Sequence, residues 1–382
     1  MIIESQKHLF EIPRGVAYFN NAYMSPLMHS VVAAMHEGIA SKARPWTVKP
    51  ADFFSSAEEA RGLAAQLFAG GADKAAPDNI AIVPSASYGV QTAANALPLS
   101  GGQTVLVLED QFPSNIYPWQ EKARRVGAGV KILPAPDDDD WTAAVIAAID
   151  GDTAIAALPQ THWSTGATLD LGAVRTALDK VGAALVLDLT QSLGAQVFDL
   201  GAIRPDFAVA ATYKWMMGPY SMGFLYVDPK WHGAQPLEHN WINRAGSEDF
   251  SRLTDYQDGF APGARRFDMG EKSNASQLRG ASAALRQILE WGVGNIQETL
   301  LARTAGIAAK LEPLGLTASP LRAPHYLGLR RSGGISETLA GDLAAQNIFV
   351  SVRGPAMRVT PHLYCDDEDA DRLVKALGIS LS

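Results

Sequence analysis

A lysine and an aspartate form the first chemical pair in this sequence. Asp188 ends the apolar run LVLD, where an unpaired carboxylate is costly to bury. Lys214 stands between the apolar run of PDFAVAATY and a glycine-punctuated one, GPYSMGFLYV. A lysine desolvated in a cleft loses its preference for the charged form and exposes a nucleophilic amine. Such amines form Schiff bases with carbonyl cofactors, pyridoxal phosphate among them. That cofactor also needs an acidic partner for its pyridinium nitrogen. Asp188 and Lys214 supply both groups. Singly, each has a plainer reading: an ion pair or helix cap for the aspartate, a surface cation for the lysine.

The other polar clusters follow expected strands in the same way. In PSASYGVQTAANAL, small residues at a strand-to-helix turn let the backbone at Ala86 and Ser87 approach an anion. Ser85 or Ser87 can add a hydroxyl, although serine is also the commonest N-cap. Tyr213, beside the lysine, offers a further hydroxyl for a phosphate. Phe112 in EDQFPSNIYPW sits before a proline, so its ring is either a stacking face for a flat cofactor or a core aromatic. LPQTHWSTG holds His162 and Trp163. His162 is a candidate for the cofactor's phenolic oxygen or the substrate, or else a satisfied loop histidine. Gln191, three residues after Asp188, can reach the same ligand's edge. Arg358 in MRVTPHLY suits bidentate capture of a carboxylate, with Arg353 as second candidate and a surface ion pair as the alternative for either.

The elements that must carry these residues read as α/β. From about residue 80, short apolar runs alternate with helical patterns: NIAIV, TVLVLED, TAIAALPQ, AALVLDLT, PDFAVAATY and GFLYVD. Continuous apolar runs separated by helices imply parallel strands buried on both faces. Right-handed crossovers then place their C-terminal ends along one ligand-binding edge. After about residue 274 two long helical stretches lead into a small strand-and-helix set. We therefore expect a large domain over 21–273, linking helices and a small domain over 274–382, and residues 1–20 packed near the small domain. The acidic runs DDDD (137–140) and DDEDAD (366–371) read as helix starts.

Bulk properties narrow the classes. A net charge of -8 over 382 residues argues against a nucleic-acid partner. The single cysteine, Cys365, rules out a disulfide framework or a cysteine metal site within the chain, and no metal is expected. No apolar run reaches the roughly 18 residues of a membrane span, and no secretory leader is visible, so the expected address is cytoplasmic.

Together these residues resemble the class V aminotransferase branch of the fold type I pyridoxal-phosphate enzymes. The resemblance runs from YFNNAYMSP (18–26) to RVTPHLYCDDEDADRLVKAL (358–377). The family's Asp-x-x-Gln or Asp-x-x-His matches Asp188 and Gln191, its Schiff-base lysine matches Lys214, and its carboxylate-binding arginine matches Arg358. Thr190 falls where the family sets a small residue against the ring. Kynureninases are similar to this chain in the Phe-Pro at Phe112 and the Tyr-Lys at Tyr213, where cysteine desulfurases carry histidines. The desulfurase nucleophile lies in a loop upstream of the arginine. Here only GPAM separates Arg353 from Arg358, and Cys365 lies downstream, so persulfide chemistry is rejected. Gln191 and HWSTG depart from the kynureninase pattern. Glu271 replaces a threonine that contacts phosphate across the dimer, with Ser273 or Asn274 as substitutes. Isopenicillin N epimerase-like enzymes share the architecture.

The resemblance implies a large domain with a mostly parallel seven-stranded sheet sandwiched by helices, a smaller C-terminal α/β domain, and a homodimer. It implies pyridoxal 5'-phosphate on Lys214, with Asp188 at the ring nitrogen and Phe112 and Thr190 against the ring. Gln191 and His162 would meet the phenolic oxygen, and Ala86, Ser87 and Tyr213 the phosphate. Arg358, Arg353 and Tyr23 are the candidates for binding a small amino acid. Transamination, epimerisation and β- or γ-cleavage remain open. The rival from another class is a doubly wound protein that binds a nucleotide or phosphate without covalent chemistry. It lacks both G-x-G-x-x-G after the first strand and G-x-x-x-x-G-K-[ST].

Overall fold

The structure is a computed structural model and describes residues 1–70 and 76–381. In chain order its strands are β1 (Ala17–Tyr18), β2 (Ile80–Val83), β3 (Thr104–Leu108), β4 (Gly129–Leu133), β5 (Thr153–Pro159), β6 (Ala184–Asp188), β7 (Phe207–Ala211), β8 (Gly223–Val227), β9 (Leu316–Ala318), β10 (Leu327–Arg331), β11 (Ile348–Phe349), β12 (Ser351–Arg353) and β13 (Ala356–Val359). The helices are α1 (His29–Lys42), α2 (Asp52–Phe68), α3 (Ala86–Ala96), α4 (Tyr117–Val126), α5 (Trp141–Ala148), α6 (Leu171–Val181), α7 (Leu200–Ile203), α8 (Ala275–Trp291), α9 (Val293–Leu311), α10 (Leu339–Ala344) and α11 (Asp367–Ser380).

Seven strands form one sheet in the order β2-β8-β7-β6-β5-β3-β4. β3/β4, β3/β5, β5/β6 and β6/β7 pair in parallel. β8 runs antiparallel to both β7 and β2, so it alone opposes the common direction. The cause is local: no helix separates β7 from β8, and a parallel return needs a longer crossover. Alternate residues of each strand feed two cores. Ile82, Leu106, Leu158, Leu187 and Ala210 face the layer containing α2, α5, α6 and α8. Val83, Val107, Ala157, Val186 and Val209 face α3 and α4. At Gly89 of α3 a Cβ would lie 2.5 Å from Val209, so only glycine lets this helix settle on β7. β4 is the exposed edge strand, which explains why it shows no continuous apolar run.

The C-terminal part carries an antiparallel sheet in the order β12-β13-β10-β9. Residues 1–20 lie against it: β1 pairs with β11, and Gln6 N–H donates to Leu363 O at 2.8 Å. Both acidic runs do start helices. Asp140 caps α5, and Asp366 caps α11 in a reciprocal box with Asp369, with Lys7 bridging both carboxylates. Among the described residues no helix is long and apolar enough to cross a membrane, and no cluster of histidine, cysteine or carboxylate side chains could hold a metal.

Candidate active site

The strand ends converge on one cavity of about 300 Å³, lined by residues that follow β2, β3, β5, β6 and β7. Lys214 enters it three residues after β7 and is only 7% exposed. Among the described residues its ammonium has no hydrogen bond and no ion pair. Burial pushes its pKa down to about 8, Asp188 opposes that shift, and Arg358 and Arg353 add to it. Its Nζ lies 5.6 Å from the Phe112 ring centre and 5.5 Å from that of Tyr213. Burial therefore destabilises the ammonium, so that the neutral, nucleophilic amine is reached at lower pH than in a free lysine.

Asp188 is the last residue of β6, held between Pro159 of β5 and Val209 of β7. Its Oδ1 accepts from Thr190 N–H at 3.0 Å. It forms no ion pair among the described residues, so the ion-pair reading of this carboxylate fails, and it lines the cavity instead. Thr190 lines it too, its hydroxyl accepting from Ala211 N–H at 3.3 Å.

The start of α3 also lines the cavity. Ser85 caps it, accepting from Tyr88 N–H at 3.2 Å, and its hydroxyl lies 2.8 Å from that of Ser87. The first amides of a helix have no carbonyl from a preceding turn, so those of Ala86 and Ser87 are available to an anion. Tyr213 also lines the cavity. Burial pushes its phenol up to about 12, which keeps its hydrogen in place as a donor. Ser25 braces its backbone, donating to Tyr213 O through both N–H and hydroxyl.

Phe112 is 39% exposed and meets Trp163 edge-on at 5.5 Å, so it belongs to the cavity wall and not to the core. Gln191 reaches the wall from the turn after β6. An amine, a lone carboxylate and an amide-rimmed anion end fit an aldehyde, a pyridinium nitrogen and a phosphate respectively, which are the three ends of pyridoxal phosphate.

Several expected residues lie elsewhere. His162 does not line the cavity. Its Nε2 meets Glu109 O at 3.2 Å, its Nδ1 meets Thr165 and Ser164 hydroxyls, and its ring stacks on Trp141 at 5.6 Å. Both nitrogens brace the loop, so the assignment to the phenolic oxygen is corrected: this is a satisfied loop histidine. Arg358 is 2% exposed and sits behind Trp163. Its Nε donates to Ser351 Oγ at 2.8 Å and Nη1 to Trp163 O at 3.0 Å, and its guanidinium lies 5.7 Å from the indole. Arg353 is half-buried on β12, and Tyr23 is exposed; neither lines the cavity. Ser273 donates its hydroxyl to Phe53 O, and Asn274 caps α8 by accepting from Gln277 N–H.

Sequence reading also missed residues. Tyr220 and Met222 line the cavity from the turn between β7 and β8. Trp215 is fully buried beside Lys214, and its indole N–H donates to Gln191 Oε1 at 3.0 Å. The glycines and proline around 218–219 signalled a turn there, but nothing in KWMM distinguishes a packing tryptophan from a bracing one.

A family model described as aminotransferase class-V matches residues 17–363. A kynureninase of Deinococcus radiodurans is 29% identical over 316 residues, covering 80% of this chain and 73% of that protein. An isopenicillin N epimerase of Streptomyces clavuligerus is 22% identical over 330 residues, covering 79% and 80%. A solved structure of a C-DES variant, with glycine covalently linked to its pyridoxal-phosphate cofactor, superposes with a TM-score of 0.88. It covers 97% of this chain and 98% of the other at 20% identity, a likeness that speaks for the fold. The chain belongs to the aminotransferase class-V family of fold type I enzymes, and its cofactor is pyridoxal 5'-phosphate.

Proposed function

We propose that Lys214 carries the cofactor covalently and that the enzyme works at the Cα of a small amino acid, by transamination or a related carbanion reaction. The observation behind this is the buried Lys214 amine, without a hydrogen bond among the described residues, set in one cavity with Asp188, which has no ion pair among them. When bound, the cofactor supplies an electron sink for the bonds at Cα. Asp188 would keep a proton on the ring nitrogen. Phe112 and Thr190 would flank the ring. The amides of Ala86 and Ser87 and the Tyr213 hydroxyl would hold the phosphate. Lys214 Nζ would take the proton from the substrate's Cα. Arg358 holds the substrate carboxylate by displacing the Trp163 ring that screens it, with Arg353 next in line and Tyr23 at the entrance. In this reading residues 21–273 are the cofactor domain, 274–382 the linking helices and small domain with 1–20 packed on it, and the enzyme is a cytoplasmic homodimer.

A second reading, hydrolysis of the kynureninase type, is favoured by Phe112-Pro113 and Tyr213-Lys214 at the cavity and by the relative of that name. Desulfuration through a protein thiol is disfavoured. Cys365 is buried away from the cavity, donates to Tyr18 O at 3.2 Å, and is pushed up to about 12 by burial. An amino-acid panel that includes kynurenine, with product analysis, separates these outcomes. We expect pyridoxamine phosphate to accumulate with at least one small amino acid. Anthranilate would select the second reading, and keto acid with ammonia would select elimination. No spectral change with any member of the panel would contradict both readings.

A further inference from the structure

Gln191 has two side-chain partners, and each can play only one role. The Trp215 indole N–H donates and never accepts, and it lies 3.0 Å from Oε1. The Ala22 carbonyl accepts and never donates, and it lies 3.1 Å from Nε2. Both contacts demand the same orientation of the amide, so the flip ambiguity that usually attends glutamine is removed. The backbone is held as well: buried His325 donates through Nε2 to Gln191 O at 2.7 Å and packs edge-on against Trp215 at 4.2 Å. Gly194 completes the clamp. A Cβ there would lie 2.5 Å from Trp215 O, so glycine alone allows the two turns this approach.

Nε2 carries two hydrogens, and Ala22 takes one. The other is left on a side chain that lines the cavity. We infer that Trp215 is a positioning residue: by locking the Gln191 amide it makes this part of the cavity wall a hydrogen-bond donor and never an acceptor. A donor here stabilises an anionic oxygen on the bound ring's edge. The pair formed by that oxygen and the lysine-bound nitrogen then gives up its shared proton at lower pH. Without Trp215 N–H only the Ala22 contact still orients the amide, so the donor is held less firmly and Oε1 can turn toward the same oxygen for part of the time.

The inference rests on the cofactor reading above, and the experiment keeps the two apart. Wild-type, Trp215→Phe, Gln191→Leu and double-variant proteins are reconstituted with pyridoxal phosphate, and the pH-dependent absorbance transition of each is recorded. A wild type that yields no borohydride-reducible cofactor defeats the cofactor reading itself. With cofactor in place, Trp215→Phe should raise the transition midpoint by about 0.5 to 1, the amount one hydrogen bond supports. In the Gln191→Leu background the same change should add nothing, because Trp215 acts only through that amide. An unmoved midpoint in Trp215→Phe, or an equal rise in both backgrounds, overturns the inference. Should Trp215→Phe fail to fold, β-(3-benzothienyl)alanine placed at position 215 keeps the indole's shape and removes only the N–H. The same two outcomes then decide.

Discussion

Lys214→Met should make the cofactor-free protein more stable by about 3 kcal/mol at pH 7 while removing its ability to bind cofactor covalently. The free lysine has a pKa of 10.5, and burial brings that of Lys214 down to about 8. At about 1.4 kcal/mol for each step of one in pKa, holding the ammonium in this site costs the fold about 3 kcal/mol. The sign follows from proton counting. Between pH 8 and 10.5 the unfolded chain binds more protons at this residue than the folded one, so wild-type stability rises with pH across that window. The cost is complete below about 8 and gone above 10.5. The advantage of Lys214→Met should therefore be full at pH 7 and absent near pH 10.5. Urea unfolding of both cofactor-free proteins at the two pH values measures it. Equal stability at pH 7 would mean that the amine is solvated and not poised for chemistry. The fold tolerates this cost because a neutral amine is the reactive one.

Asp268→Ala should destabilise the protein by about 3–5 kcal/mol, as expected when one member of a buried ionic network is removed. Asp268 accepts from Arg61 Nη1 and Nη2 at 3.1 and 2.8 Å, from Lys272 Nζ at 2.7 Å and from Ile82 N–H at 2.7 Å. Arg61 of α2 and Lys272 are themselves buried, so the substitution leaves two cations without their shared anion. Arg61 keeps a pair with the half-exposed Glu58 at 3.0 Å, whereas Lys272 keeps only the uncharged Asn243 amide at 3.0 Å. The effect extends to the site. Ile82 is in β2, three residues before the Ser85 cap of α3, so loosening that strand also loosens the anion end of the cavity. Weaker retention of the cofactor should accompany the lower urea midpoint. Replacing Arg61, Asp268 and Lys272 together by apolar residues of similar volume should cost much less, because no charge is stranded. A loss below about 1 kcal/mol for Asp268→Ala would show that water reaches the network.

The parts of this architecture legible in the sequence are those where polarity interrupts a buried run. Asp188 and Lys214 stood out because a central strand has no packing use for a charge at its end. Ala86, Ser87 and Phe112 followed from the strand-to-turn transitions that place them. β4 gave no such signal, since none of its residues is fully buried and its partly exposed run resembles a loop. Side-chain direction was the other limit. His162 and Trp163 are neighbours in HWSTG, yet one turns into the loop and the other onto the cavity rim. Arg358 carries the right charge on the right strand, but whether Trp163 stands in front of it depends on a contact across 195 residues. The Trp215–Gln191 bond spans 24 residues and the His325–Gln191 bond 134, so no local pattern could have announced the clamp.

The central claim is that Lys214 is the residue to which the cofactor is bound. Reconstituting the protein with pyridoxal phosphate, reducing it with borohydride, and mapping its peptides by mass spectrometry tests that claim without reference to any substrate. The account predicts one phosphopyridoxyl group per chain, on Lys214 within ATYKWMMGPY, and none in Lys214→Met treated the same way. An adduct on another lysine, or an unmodified Lys214 in protein saturated with cofactor, would contradict it.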